Sequence, residues 1–403
     1  MVTDGTDGTN STSETGNANG TESTHDTEKG RNVMNGADGT NRAGRTTEAT
    51  DATDRPHGAD ATVDTDGTNR AGVTADPGHA IAGGGRIWAP YPLERLAPLP
   101  TPPGGPGTSW PIDVHDGSPD SAPPTTAADV ELYVLPYTFD RAPLERIADM
   151  PRLRAIQTLT AGYEHVLPYL PPGVTLCNGR GIHETSTAEL AVALTLAATR
   201  DIPGFVRGQD AGEWRFGFYP ALADKRVLIL GYGAIGEAVD RRLAGFEVDV
   251  VRVATTARDG LLGPVRAMAE LPELLPGVDV VILTVPLTED TRALVDAEFL
   301  ARLPDGALVV NVARGPVVDT AALLAEVAAG RLRAALDVTD PEPLPADHPL
   351  RFAPGVLISP HVGGSSSAFL PRALNLIRDQ LGRWSDGVKL ANIVRDGADK
   401  TVR

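Results

Sequence analysis

The chain has 403 residues and a formal net charge of −17 at pH 7. Its single cysteine, Cys177, excludes an internal disulfide and any cysteine-based zinc site, and no metal site is expected. With no basic cluster and no long apolar run outside alternating patterns, neither nucleic-acid binding nor a membrane span is expected.

Residues 1–84 hold 14 acids and 6 Lys or Arg, and no Phe, Trp or Tyr precedes Trp88. So little apolar area cannot offset the entropy cost of ordering, so this segment is expected to be a disordered acidic tail. "DGTNRAG" occurs at 38–44 and again at 66–72. A polar repeat without an apolar face suggests duplication by slippage, since a solenoid needs a face to stack. The tail lacks the basic and apolar regions of a secretory signal, and a cytoplasmic location is expected. What remains is long enough for two domains with real cores.

Regular structure is expected from "RIWAPY" (Arg86–Tyr91). "VELYVLPY" reads as a buried strand, "APLERIADM" as a helix and "LRAIQTL" as another strand. "TSTAELAVALTLAATR" (Thr185–Arg200) has helical spacing and a Thr/Ser start able to cap it. From Arg226 the alternation becomes regular: strands "RVLIL", "EVDVVRV", "VDVVILTV", "ALVVNVA", "RAALDV" and "VLISPH", with helices such as "AIGEAVDRRLAG" and "TAALLAEVAAG" between most of them. Near-continuous Val/Ile/Leu strands alternating with helices indicate a parallel sheet covered on both faces. A last helix, "FLPRALNLIRDQLGRW", is expected to return to the first domain.

"LILGYGAIGEAV" places Gly231, Gly233 and Gly236 after a strand and at a helix start. The first glycine permits a tight turn, the second lets a pyrophosphate approach, and the third lets helix and strand pack closely. Free N–H groups at the helix start, around Ala234 and Ile235, would then face the phosphates. An acid that grips the adenosine ribose is expected near Ala254, at the end of the second strand, but the stretch reads "VRVATTAR". Asp249 lies too early and Asp259 late. An acid would repel a 2′-phosphate; its absence beside Thr255, Thr256 and Arg258 admits one, which favours NADP(H) over NAD(H). The alternative is a solvated surface Arg258 and NAD.

Three motifs follow: "NVARGPVVD" (Asn311–Asp319), "ALDVTDPEP" (Ala335–Pro343) and "ISPHVGG" (Ile358–Gly364). Each begins with a strand and breaks at its carboxyl end, where open α/β sheets place ligands, so Arg314, Glu342 and His361 should converge on one crevice. A ketone receiving a hydride develops charge on oxygen and needs a proton donor, the role His suits. A carboxylate bonded to that His holds the ring and favours imidazolium. A guanidinium can bind a substrate carboxylate through two bonds and polarise the neighbouring carbonyl. Singly, each residue reads as a salt bridge, a solvated acid or a satisfied histidine; together behind a dinucleotide turn they read as a site. The remaining histidines look incidental.

With these motifs in order, the chain resembles the D-isomer-specific 2-hydroxyacid dehydrogenases, of glyoxylate/hydroxypyruvate reductase type, from about Arg86 to Asp396. The resemblance implies a doubly wound (Rossmann) dinucleotide domain, 204–362, inserted in a smaller flavodoxin-like α/β substrate domain, 85–203 and 363–403. It implies Arg314 as substrate binder, Glu342 as partner of the acid and His361 as proton donor. It further implies Asp337 at the nicotinamide carboxamide, Thr284, Val285 and Pro286 on the adenosine side, and Val312, Ala313, Gly363 and Gly364 at the cofactor. Backbone N–H groups around Ala161 and Gly162 in "LTAGYEHV" would accept the substrate carboxylate. The expected activity is reduction of a small 2-oxo acid, such as glyoxylate or hydroxypyruvate, to the D-2-hydroxy acid with NADPH or NADH, by a homodimer. A different class remains open: a corepressor or scaffold of similar sequence that binds dinucleotide with little turnover.

Overall fold

In the computed structural model, residues 85–397 apart from 139 are described, so the acidic tail read from the sequence lies outside them. Strands β1 (Arg86–Ala89), β2 (Ile112–Val114), β3 (Val130–Val134), β4 (Ala155–Gln157) and β5 (Thr175–Cys177) form one sheet. A second sheet is built from β6 (Arg226–Leu230), β7 (Asp249–Ala254), β8 (Arg258–Gly260), β9 (Gly263–Ala267), β10 (Val280–Leu283), β11 (Leu308–Asn311), β12 (Arg333–Leu336) and β13 (Val356–Ile358). The final strand, β14 (Ile393–Arg395), joins the first sheet antiparallel to β5.

The larger sheet runs β13-β12-β11-β10-β6-β7-β9-β8, parallel except for the edge strand β8. Strand order reverses between β6 and β10, and a doubly wound sheet opens its ligand crevice at such a point. The smaller sheet runs β14-β5-β4-β3-β1-β2, with its own reversal between β1 and β3. Apolar residues alternate to both faces of each sheet and form a core on either side.

Two helices tie the sheets together. The helix Glu184–Thr199 follows β5 but buries Ala188, Ala191, Val192 and Leu194 against the larger sheet, beside Ile229 and Val310. The domain boundary drawn at 203 therefore falls after a helix whose packing belongs to the larger sheet. Its expected Thr/Ser cap is not formed: the helix starts one residue earlier, with His183 at its cap position. Thr185 and Ser186 lie inside its first turn, where Ser186 Oγ meets Ser366 Oγ at 2.5 Å and the Thr185 hydroxyl accepts from Arg372. The helix Phe369–Ser385 places Ala373, Ile377, Leu381 and Trp384 on one stripe against the smaller sheet. Gln380 adds a buried amide bond to Gln157 and another to the Ala391 carbonyl. Such buried polar groups specify one docking register because any other would strand them.

Candidate active site

The glycine turn sits at the reversal point between β6 and β10. Gly231 has φ +104°, and a Cβ there would lie 2.5 Å from the Val285 nitrogen. The Thr284 hydroxyl donates to the Gly231 carbonyl at 2.7 Å, so "TVP" braces the turn from β10. A Cβ on Gly236 would lie 2.5 Å from the Gly231 oxygen, whereas one on Gly233 would meet nothing within 4 Å. Gly233 therefore leaves open space in front of the helix Ala234–Leu243, whose first N–H groups have no acceptor within the helix. A cradle of this form fits a dinucleotide pyrophosphate.

A cleft of about 710 Å³, reached by Ile235 from the end of this turn, lies between the two sheets. Ile235, Val312, Asp337, His361, Gly363 and Gly364 line it from the larger-sheet side of the cleft; Ala161 and Gly162 line it from the loop after β4. Arg314 reaches across that gap. A Cβ on Gly162 would fall 1.6 Å from Arg314 Nη2, so only glycine lets the guanidinium lie against this loop. Arg314 Nη1 donates to the Ala313 carbonyl at 2.7 Å, and Nη2 lies 3.9 Å from Glu164. Buried Asn311 shapes the loop that carries Arg314: its amide donates to the Arg314 carbonyl at 3.0 Å, and its oxygen accepts from the Ala313 N–H at 3.0 Å. In the facing loop the carbonyls are turned inward, Ala161 to Asn178 at 2.8 Å and Gly162 to the Thr160 hydroxyl at 2.6 Å. In a trans peptide the N–H points opposite the carbonyl, so these two bonds orient the N–H groups of Gly162 and Tyr163.

His361 Nδ1 lies 2.5 Å from Glu342 Oε1. Burial raises the Glu342 carboxyl, but the His361 hydrogen bond and charge, the Thr339 backbone and Arg314 outweigh it and hold it below the usual carboxylate range. The carboxylate thus stays ionised beside the ring. His361 has φ +52°, a left-handed conformation costing a non-glycine residue about 1–2 kcal/mol. Asp337 supports that turn. Its carboxylate accepts from Ser359 Oγ at 2.6 Å, Val362 N–H at 2.9 Å and Gly363 N–H at 2.8 Å, and its carbonyl accepts from His361 N–H at 2.8 Å. With about four acceptor positions on a carboxylate, roughly one remains toward the cleft.

The sequence reading missed several lining residues. His183, read as incidental, is buried; its Nε2 meets the Leu159 carbonyl at 2.7 Å and its Nδ1 lies against Gly364. Burial above all holds its ring below the ordinary histidine value; Leu159, Gly364 and Glu184 pull it up and Arg314 pushes it down. Tyr137 and His183 line the cleft with Phe369 stacked on His183 and tilted against Tyr137, and Leu287 and Tyr169 also line it. No sequence motif marks them, because each reaches the cleft from a separate element. At the other end of the turn, β7 stops at Ala254, Thr255 and Thr256 are exposed, and Arg258 opens the edge strand β8. Its Nη2 donates to the Tyr232 carbonyl at 2.5 Å. Asp249 begins β7 and pairs with Arg226 at 2.9 Å, away from the strand's carboxyl end. Pro286 is exposed; its carbonyl accepts from Thr291.

Comparison with known proteins gives a consistent result. A family model described as D-isomer specific 2-hydroxyacid dehydrogenase, NAD binding domain, matches residues 192–363. A glyoxylate reductase of Thermofilum pendens is 33% identical over 238 residues, 56% of this chain and 70% of the relative. A glyoxylate/hydroxypyruvate reductase B of Yersinia enterocolitica is 34% identical over 239 residues, 56% of this chain and 72% of the relative. Among solved structures, a D-isomer specific 2-hydroxyacid dehydrogenase from Xanthobacter autotrophicus Py2, in complex with NADPH and MES, superposes with TM-score 0.62 at 30% identity, over 78% of this chain and 99% of that one. An NADPH-dependent glyoxylate/hydroxypyruvate reductase from Sinorhizobium meliloti, in complex with NADP and malonate, has TM-score 0.62 at 25% identity, over 78% of this chain and 97% of that one.

Proposed function

The chain belongs to the D-isomer-specific 2-hydroxyacid dehydrogenase family, and from that premise we propose that it reduces glyoxylate, hydroxypyruvate or a similar small 2-oxo acid to the D-2-hydroxy acid with NADPH. The observation that carries this reading is Arg314 and His361, the latter bonded to Glu342, lining one cleft together with Ile235 of the dinucleotide-type turn.

When bound, the reduced nicotinamide supplies the hydride that the keto carbon accepts. The protein's own residues do the rest. Arg314, with the backbone N–H groups around Ala161 and Gly162, holds the substrate carboxylate and draws charge toward the keto oxygen. With Nδ1 on Glu342, His361 delivers its proton from Nε2 to that oxygen as the C–O double bond is lost. The ionised Glu342 stabilises the imidazolium before transfer and orients the ring throughout. Asp337 keeps His361 in its left-handed turn and offers its remaining acceptor position to the nicotinamide carboxamide. Ile235, Val312, Ala313, Gly363 and Gly364 would seat the cofactor, and Thr284 and Val285 its adenosine half through the turn they brace.

NADPH over NADH is supported by the missing acid at Ala254 and by Arg258 lying against the turn. A homodimer is supported by Trp214, Phe216 and Phe218, which are 94%, 85% and 101% exposed within one short stretch. Sedimentation as a monomer at working concentration would remove that part. No helix among the described residues is long and apolar enough to cross a membrane. The test is a panel of 2-oxo acids with NADPH and with NADH, followed by loss of reduced-cofactor absorbance. Cofactor binding without turnover on any acid would return the reading to a binding module, and a parent that prefers NADH would defeat the cofactor assignment.

A further inference from the structure

Beneath the glycine turn lies a buried polar cluster that the reaction does not use. The Tyr232 hydroxyl donates to Asp240 Oδ2 at 2.6 Å. Arg252 Nε donates to the same oxygen at 2.6 Å, and its Nη2 to Oδ1 at 3.1 Å. Arg252 also donates to the Val250 carbonyl at 3.1 Å. The three residues come from the turn, the helix after it and β7, and both Tyr232 and Asp240 are buried. Burial, then the Asp240 bond and charge, push the Tyr232 hydroxyl up to about 12 against the opposing pull of Arg252, so it stays a donor at neutral pH.

The Tyr232 backbone is where three parts of the cofactor region meet. Its N–H donates to the Val253 carbonyl at 2.9 Å, one residue before the missing ribose acid. Its carbonyl accepts from Arg258. Arg258 itself stands on an edge strand of three residues paired only with β9. One hydrogen bond uses one of its five N–H donors, so the rest of the fork stays available to a phosphate.

We propose that Tyr232, Asp240 and Arg252 form a positioning unit for Arg258, and through it for the 2′-phosphate. The buried side-chain bonds fix the Tyr232 peptide, the fixed carbonyl holds the guanidinium at the ribose side of the turn, and the 2′-phosphate meets a preorganised cation. This inference rests on the NADPH reading above. A merely structural cluster would support both dinucleotides equally; a positioning unit supports the phosphorylated one.

Calorimetric titration of the full chain with NADP+ and with NAD+, without substrate, distinguishes these. Tyr232→Phe should weaken NADP+ binding by about 3- to 10-fold, the loss expected from one hydrogen bond, with a smaller change for NAD+. In an Arg258→Ala background the same substitution should leave the NADP+ to NAD+ affinity ratio unmoved, because the group it positions is gone. Asp240→Asn keeps the shape but removes the charge that holds Arg252; it should act in the same direction, and it replaces Tyr232→Phe if that variant does not unfold cooperatively. Equal weakening for both dinucleotides, a ratio effect that persists without Arg258, or failure of both variants to fold overturns the proposal. If Arg258→Ala alone leaves the ratio at the parent value, the 2′-phosphate assignment falls with it. A parent that binds NAD+ more tightly defeats the NADPH reading first.

Discussion

Glu342→Gln isolates the charge beside His361 while keeping the shape of the side chain. The contact is short, Nδ1 to Oε1 at 2.5 Å, and about a third of each side chain is exposed, 32% for His361 and 36% for Glu342. Two unit charges about 4 Å apart interact by about 1 kcal/mol at the dielectric of water and about 4 kcal/mol at an effective value near 20. Partial exposure places this pair between those limits after screening, at about 1–3 kcal/mol, or roughly 5- to 150-fold in rate. Glutamine can still accept the Nδ1 hydrogen, so the ring keeps its orientation and the loss is confined to imidazolium stabilisation. Reduction of a 2-oxo acid at neutral pH should therefore show a kcat lowered within that range. KM for the oxo acid, set by Arg314 and the facing loop, should move little. Steady-state rates at neutral pH with saturating reduced cofactor provide the measurement. An unchanged kcat would refute the assigned roles of both residues. A loss confined to KM would place Glu342 in substrate binding.

Two further substitutions test the turn and a buried histidine. Gly233→Ala adds a Cβ that meets nothing within 4 Å, so thermal unfolding should be unaffected while the space in front of the helix is filled. Cofactor affinity should fall by about 1–3 kcal/mol, roughly 5- to 150-fold. Gly236→Ala should instead lower Tm, because its Cβ would lie 2.5 Å from the Gly231 oxygen. Normal cofactor titration of a folded Gly233→Ala protein would mean that this turn is not the phosphate cradle. His115 is buried, with its Nδ1 2.7 Å from the Tyr133 hydroxyl. Burial holds its ring below the ordinary value, with Asp116 opposing and Arg146 assisting. The unfolded chain takes up a proton near pH 6.5 that the folded chain resists, so stability is full above about that pH and is lost as pH falls from it toward the lower folded value. His115→Gln should reduce the drop in Tm between neutral and acid pH; an equal drop in parent and variant would show that this ring does not carry the effect.

Much of the architecture was legible in order along the chain. "RVLIL", "TAALLAEVAAG" and the strand ends before Arg314, Glu342 and His361 announce themselves through local apolar runs and breaks, and a parallel sheet turns such breaks into neighbours at one edge. The glycine turn was legible for the same reason: its demands on backbone and Cβ act over six residues. Strand lengths were overestimated, as in "VDVVILTV" against β10 (Val280–Leu283), because apolar side chains continue past the last ladder hydrogen bond into loops that remain buried.

What sequence alone determined, then, is whatever depends on neighbours in the chain: the element types, the glycine cradle and the polar residues at the strand ends. Tertiary structure alone decided which distant groups share an environment. Asp240 and Arg252 read as ordinary charges on a helix and a strand, and become a buried pair only when the helix Ala234–Leu243 packs against β7. His183 and Gly162 acquire their places in the cleft from a loop and a helix start set against Gly364 and Arg314. Burial and hydrogen bonding of a polar side chain depend on what the fold brings against it across tens or hundreds of residues, and local periodicity carries no record of that partner.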